Sequence, residues 1–369
     1  MPTPPILIAH EIYRSSSYGG RHPLSIPRVS AALDLIRAMG WLEPGQYLES
    51  PIATAEELCR FHDADYVAAL IEAERTQRAS PEVRRTYNLG INGNPIFPAM
   101  FRRPATACGG TLKGADLLLE RGGIVHHLAG GTHHGRKDRA SGFCFLNDAA
   151  LGILRLLDGG LGKVAYVDLD AHHGDGVEAA FADDARVLAI SIHEEGRWPY
   201  TGAAEHRAGG SARNFPVPSG FNDSELEILI ERAVLPLLAR FSPEALVLQC
   251  GADSLADDPM SGISLSNRAI WDAAARLSKA APRLLVLGGG GYNPWSVARC
   301  WAGLWATLNG LAPDRVPTAT ARAVLRELTW SRSQGRNPPE HWFTTIADPR
   351  RPGKVRARIL ELVAVCLTP

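Results

Sequence analysis

The sequence has no Cys-x-x-Cys pair. Its six cysteines, Cys59, Cys108, Cys144, Cys250, Cys300 and Cys366, are scattered over 369 residues. In a chain this long they read as buried free thiols rather than a disulfide framework, which fits a reducing cytoplasm. There is no excess of charge either, since Lys+Arg and Asp+Glu both total 39. A nucleic-acid binder usually shows a basic surplus, so no nucleic-acid partner is expected. No apolar run approaches the roughly eighteen residues of a membrane span. The opening MPTPPILIAHEIYR lacks a basic stretch followed by a long apolar one, so no secretion leader is expected. Internal repeats and low-complexity tracts are also missing.

What is present is a large α/β pattern. With 45% hydrophobic residues the chain can bury a sizeable core. Five flat apolar runs end in polar or glycine-rich corners: 122–131, 163–170, 186–193, 244–253 and 283–292. Strands buried on both faces read this way. Helix-like stretches lie between them at 147–157, 223–241 and 267–281, the second with Asp223 as its expected N-cap and Glu227 on its first turns. The alternation predicts an α/β fold, a single domain over 1–369 with a central, mostly parallel sheet and helices on both faces. Pro- and Arg-rich sequence near 313–353 reads as a peripheral wrap, followed by a final helix near 353–366.

In such sheets ligands bind beyond the carboxyl ends of the strands. Four of the predicted strand ends carry the unusual residues: His133 and His134, then Asp168, Asp170, His172 and Asp175, then Asp253, then Tyr292. Within VDLDAHHGDG (167–176), Asp170 and His172 are two apart and share a face of extended backbone. A carboxylate and an imidazole there make half of a divalent-metal site. Asp253 supplies a third ligand, and three protein ligands with an open position is the pattern of a catalytic zinc. Asp, Gly and His also serve as strand-end caps and turn formers, but that reading does not account for the whole constellation. A two-manganese arginase-like site would need an acid two residues after His172. The residue there is Gly174, so one metal is favoured over two.

The tandem histidines in GGTHHGRKDRASGFCFLND (130–148) raise a separate problem, because neighbours on a strand point to opposite faces. If the loop after Gly130-Gly131 bends, both rings can face inward beside the metal and act as an acid/base pair. Asp168 and Asp175 are then free to orient one imidazole each. The earlier doublet, His126-His127, reads as structural. In LGGGGYN (287–293) the glycines allow close backbone approach, and the Tyr292 hydroxyl is placed to stabilise an oxyanion. No Lys-Ser/Thr follows the glycines, so a phosphate loop is not indicated.

Taken together, HPLSIPR (22–28), FHDADYV (61–67), the 130–148 stretch, YVDLDAHHGDGVEAAF (166–181), LQCGADSL (248–255), GGGGYN and VARCW (297–301) resemble the zinc-dependent histone deacetylase superfamily. The resemblance runs from about residue 18 to 308 and is nearest the class I-like and bacterial members, with acetoin-utilisation proteins and acetylpolyamine amidohydrolases as relatives. It implies an arginase/deacetylase-like fold with one zinc per chain on Asp170, His172 and Asp253. It implies His133 and His134 as the acid/base pair backed by Asp168 and Asp175, and Tyr292 polarising the scissile carbonyl. It also implies an acyl tunnel lined by Gly142, Phe143, Trp198, Gly290 and Gly291, and a structural potassium near Asp168, Asp170, His172 and Ser191. Arg28 would lie by an acetate exit. On the residues alone, Phe143 and Trp198 are ordinary core aromatics.

The implied reaction is removal of an acetyl or similar short acyl group from a lysine or another primary amine. Two rivals remain: a two-metal ureohydrolase, disfavoured by Gly174, and a binding module without catalysis, disfavoured because every catalytic position is present. Where class I members read roughly F-N-V-G-E-D-C-P, with a rim Asp that grips the substrate backbone, this chain reads YNLGINGNPIF (87–97), with Asn92 and Asn94 in that region. The stretch 193–202 is one residue shorter than usual. The expected substrate is therefore a small acetylated amine, acetylpolyamine included, or a short exposed acyl-lysine rather than a folded histone, unless Glu194 or Glu195 takes over the grip.

Overall fold

The computed structural model describes residues 3–15, 18–19 and 22–367. Among these residues eight strands form one sheet: β1 (Ile6–Ala9), β2 (Tyr47–Glu49), β3 (Gly123–His127), β4 (Val164–Asp168), β5 (Val187–Glu194), β6 (Ala212–Val217), β7 (Ala245–Gln249) and β8 (Arg283–Leu287). Their order is β2-β1-β3-β8-β7-β4-β5-β6, and every pairing is parallel. The expected mostly parallel sheet is thus wholly parallel.

Alternation along the strands explains the layers. Ala165, Val167, Leu246, Leu248, Leu284 and Val286 enter one apolar cluster, while Val164, Tyr166, Ala245, Val247, Leu285 and Leu287 enter another. Each strand therefore needs cover on both faces. Helices Val29–Ala38, Asn267–Leu277 and Pro294–Leu308 cover the first, and helices Arg102–Arg121 and Asp148–Asp158 the second.

The five expected strands are β3, β4, β5, β7 and β8. The expected helix over 223–241 is a continuous helical stretch with a π turn at Ile230–Val234. Pro236 follows that turn and has no N–H to continue the α ladder. Its cap corrects the sequence reading: Asn222, not Asp223, accepts from the Ser224 and Glu225 amides, and Glu225 closes the capping box. Asp223 turns away and accepts from the Ser266 amide and hydroxyl and from the Arg351 amide. The 313–353 segment crosses helix Pro294–Leu308. It stacks Trp342 on Trp295 (5.1 Å between centroids) and pairs Asp348 with the buried Arg299 at 2.6 Å. The final helix is Ala357–Leu367.

Candidate metal and acid/base site

The four strands whose ends carry the unusual residues, β3, β8, β7 and β4, are neighbours at the middle of the sheet. Their carboxyl ends therefore open onto one place. Asp170, His172 and Asp253 are buried, with ligand atoms within 4.8 Å of one another, and are the one such group among the described residues. His172 Nδ1 lies 3.0 Å from Asp253 Oδ2 and 3.3 Å from Asp170 Oδ1. The Gly290 amide donates to Asp170 Oδ2 at 2.6 Å, and the Ala171 amide to Asp253 Oδ1 at 2.9 Å. Gly290 has to be glycine, because a Cβ there would collide with Asp253 Oδ2. Burial first, and then the charge of Asp170, push the Asp253 carboxyl up. Two buried carboxylates and one imidazole suit a divalent cation in both charge and donor type. At Gly174, where a second metal would need its acid, a Cβ would meet Asp168 Oδ2. The space is taken by the histidine machinery.

The tandem histidines do converge. After Gly131, in the left-handed region at φ 95°, the chain leaves the strand, and the two rings sit 3.9 Å apart. Asp168 Oδ2 accepts from His133 Nδ1, and Asp175 Oδ1 from His134 Nδ1, both at 2.7 Å. With Nδ1 engaged, each Nε2 is left for chemistry. The pairs differ electrostatically. Burial opposes the charge on His133, but Asp168 and Asp170 outweigh it and hold the ring up at about 9. Burial and then the charge of His133 press His134 down to about 3, against Asp175. The two rings are thus pushed in opposite directions, His133 toward its charged form and His134 toward its neutral one.

Several supporting residues escaped the sequence reading. The Tyr166 hydroxyl lies 2.7 Å from Asp168 Oδ2 and 2.8 Å from Gln249 Oε1, while Gln249 Nε2 lies 2.9 Å from His133 Nδ1. Arg136 pairs with Asp175 and donates to its carbonyl. The buried Asp148 accepts from the Gly131 and Thr132 amides and the Thr132 and Thr111 hydroxyls, which pins the histidine loop. Tyr166, Arg136 and Asp148 stand inside the quoted motifs. The only available signal was a polar side chain in a buried position.

Above the cluster is a cavity of about 460 Å³ walled by Gly142, Phe143, Trp198, Met260 and Tyr292. Trp198 stands edge-on to His134 at 4.6 Å, and Phe143 to Tyr292 at 6.3 Å. Trp198 is 37% exposed, so it is no core aromatic. Burial, then Asp253 and Asp170, hold the Tyr292 phenol well above its ordinary value, so it stays a donor. A smaller cavity of about 50 Å³ lies beneath, lined by Arg28, Gly289 and Gly290 among others. Arg28 Nη1 donates to the Gly289 carbonyl at 2.6 Å, and its guanidinium lies over Trp301. Gly291 is not part of either wall and faces Val297 and Ala252. Ser191 is the cross-strand partner of Asp168, with its hydroxyl 2.9 Å from His193 Nδ1.

Two expectations at the mouth are corrected, and a third side chain is placed. Asn94 is fully buried, and its Oδ1 accepts from the Phe143 amide at 3.0 Å, so it shapes the wall rather than meeting a substrate. Glu194 is buried, paired with Arg197 and bonded to the Gly262 amide. Glu195 pairs with Arg358. Asn92 does line the cavity, with Nδ2 donating to Asn88 Oδ1 at 2.8 Å. His126 and His127 are buried on β3, outside both cavities.

The histone deacetylase domain family matches residues 22–308. Similar proteins include histone deacetylase 1 of Oryza sativa subsp. japonica, 37% identical over 77% of this chain and 56% of that one. The chain thus spans little more than half of that relative's length. The acetoin utilization protein AcuC of Bacillus subtilis is 31% identical over 84% of this chain and 83% of its own. Among solved structures, the crystal structure of an HDAC homolog from Aquifex aeolicus superposes with a TM-score of 0.92 at 34% identity, covering 98% of this chain and 99% of that one. A crystal structure of an HDAC homolog complexed with SAHA gives 0.93 at the same identity, with the same coverage. Among the described residues no helix is long and apolar enough to cross a membrane. The wholly parallel sheet, the Asp-His-Asp cluster at its centre and these matches agree: the chain belongs to the histone deacetylase family.

Proposed function

We propose that the chain is a zinc-dependent amidohydrolase that removes an acetyl or similar short acyl group from a lysine or another primary amine. The observation that carries this is the pair of His–Asp dyads beside the Asp170-His172-Asp253 cluster, at the floor of an aromatic-walled cavity. When bound, a divalent cation at that cluster supplies Lewis-acid polarisation of a carbonyl and acidifies water.

The chain's own groups do the rest. Phe143 and Trp198 flank the alkyl stem and keep bulk water away from it. The Tyr292 hydroxyl donates to the amide oxygen and strengthens that bond as charge develops there. His134, neutral at pH 7, accepts the proton of the attacking water at Nε2. His133 holds its positive charge beside Asp168, and the histidine pair then returns a proton to the departing amine. Acetate has the Arg28-lined cavity below as a way out. Asp168 and Asp175 fix ring orientation, and a potassium ion near Asp168 and Ser191 would be structural.

With Glu194 and Glu195 engaged elsewhere, small acetylated amines or short acyl-lysines fit this mouth better than folded histones. The test is a turnover screen of acyl-lysine peptides against acetylated small amines with zinc-loaded protein. No hydrolysis of any amide would refute the reading, and a hundredfold gain in kcat/KM on lengthening the peptide would refute the substrate size.

A further inference from the structure

Resting on that hydrolytic reading, the charge around the cavity mouth assigns a substrate preference. Among the described residues, no Asp, Glu, Lys or Arg lines the cavity. The carboxylates on the adjoining loops are all engaged. Glu194 holds Arg197 and the Gly262 amide, and Glu195 holds Arg358. Asp257 accepts from Trp342 Nε1 at 3.0 Å, and Asp258 from the Tyr292 and Met260 amides at 2.6 and 2.9 Å. Among the described residues, each of these four carboxylates already has a partner.

The cations are not matched in the same way. Arg197 reaches the Met260 carbonyl at 2.7 Å, but its charge is neutralised by Glu194. Arg332, from the segment beyond the family match, points Nη2 at the Met260 thioether from 3.8 Å and has no carboxylate partner among the described residues. Met260 is itself part of the cavity wall. On the Met260 side of the mouth, the charge without a carboxylate partner among the described residues is therefore this partly exposed guanidinium, one side chain away from the cavity.

We propose that Arg332 is a specificity-determining residue, and that the favoured substrates are acylated amines whose far end bears a carboxylate. Acylated polyamines, which carry an ammonium group at that end, are disfavoured. A guanidinium in water within a few ångströms of a unit charge shifts binding by about fivefold, with opposite sign for anion and cation. Salt screens the effect.

The experiment uses three substrates of matched length: acetylated aminohexanoate, its primary amide, and monoacetylated diaminohexane. At low salt, kcat/KM should fall in that order, with an anion-to-cation ratio of about tenfold or more carried by KM. Arg332→Gln should bring the ratio to within about threefold with kcat unchanged, and Arg332→Glu should invert the order. A cationic substrate equal to or better than the anionic one, or a ratio unmoved by either variant, overturns the inference while leaving the hydrolytic reading intact. Hydrolysis of none of the three, with an acetyl-lysine peptide still turned over, overturns the inference alone, and no turnover of the peptide either overturns both.

Discussion

Lowering the pH from 7.5 to 5.5 should weaken this fold steeply, and His126→Met should blunt the effect. Burial holds His62 at about 4 and His126, His134 and His193 at about 3, and it pulls His127 down as well. A histidine depressed in the fold is protonated first in the unfolded chain, near its ordinary 6.5. Each therefore costs stability as pH falls below that value. Relative to a group that stays neutral when folded, the loss is about 0.4 kcal/mol at pH 6.5 and about 1.4 at pH 5.5. Five such groups give about 5 kcal/mol over that unit. Three groups with raised values work the other way, His172 among them, held up at about 10 by Asp170 and Asp253 against its burial. Burial, then Asp253, push Asp258 up to about 8, and the carboxylates hold His133 at about 9. Together these native protons offset roughly two fifths, leaving about 3 kcal/mol of net loss, against a typical total of roughly 5–15. His126 isolates one term, since neither ring nitrogen has a partner and it lies outside the metal cluster. The measurement is urea unfolding at a series of pH values. The stability gap between His126→Met and the parent should widen by about 1 kcal/mol from pH 6.5 to 5.5. Parallel curves would show that His126 is not held neutral, and the whole sum would fail with it.

Purified protein should carry one transition metal per chain, lost in Asp253→Ala; two per chain by elemental analysis would refute the single cluster. Tyr292→Phe should keep its metal and lose about 10²–10³ in kcat, as for other lost oxyanion donors, whereas near-normal turnover would make the tyrosine structural. Asp168→Asn removes the charge that raises His133, so the alkaline limb of the pH–rate profile should move to lower pH; an unmoved limb would separate His133 from catalysis. Trp198→Ala opens the wall beside His134 and should raise KM more than it lowers kcat, and the reverse would argue that the ring positions His134 rather than substrate.

The strands legible in the sequence were those of five or more residues lying in apolar runs that end in a chemical corner. β1 and β2 are four and three residues long, and β6 contains Arg213, Asn214 and Pro216, so none stood out by hydrophobicity. The metal cluster was legible because Asp170 and His172 lie close in sequence and Asp253 ends a neighbouring strand. The mouth was not. Whether Asn94 faces substrate or Phe143 depends on how a loop folds over a cavity, and Glu194 is consumed by partners 3 and 68 residues away. Local spacing carries no record of such distant pairings.

The sheet is open at both ends of its strand order, and β6 is one of those ends. An edge strand presents unpaired backbone groups that invite another chain. Here the last helix, Ala357–Leu367, packs on β6, and the Cys366 thiol reaches the Asn214 carbonyl at 3.1 Å. The eleven residues of this helix thus lie over part of that edge, a cover carried by the chain itself. A change that displaces this helix should therefore expose the β6 edge and raise self-association, however far it lies from the chemistry.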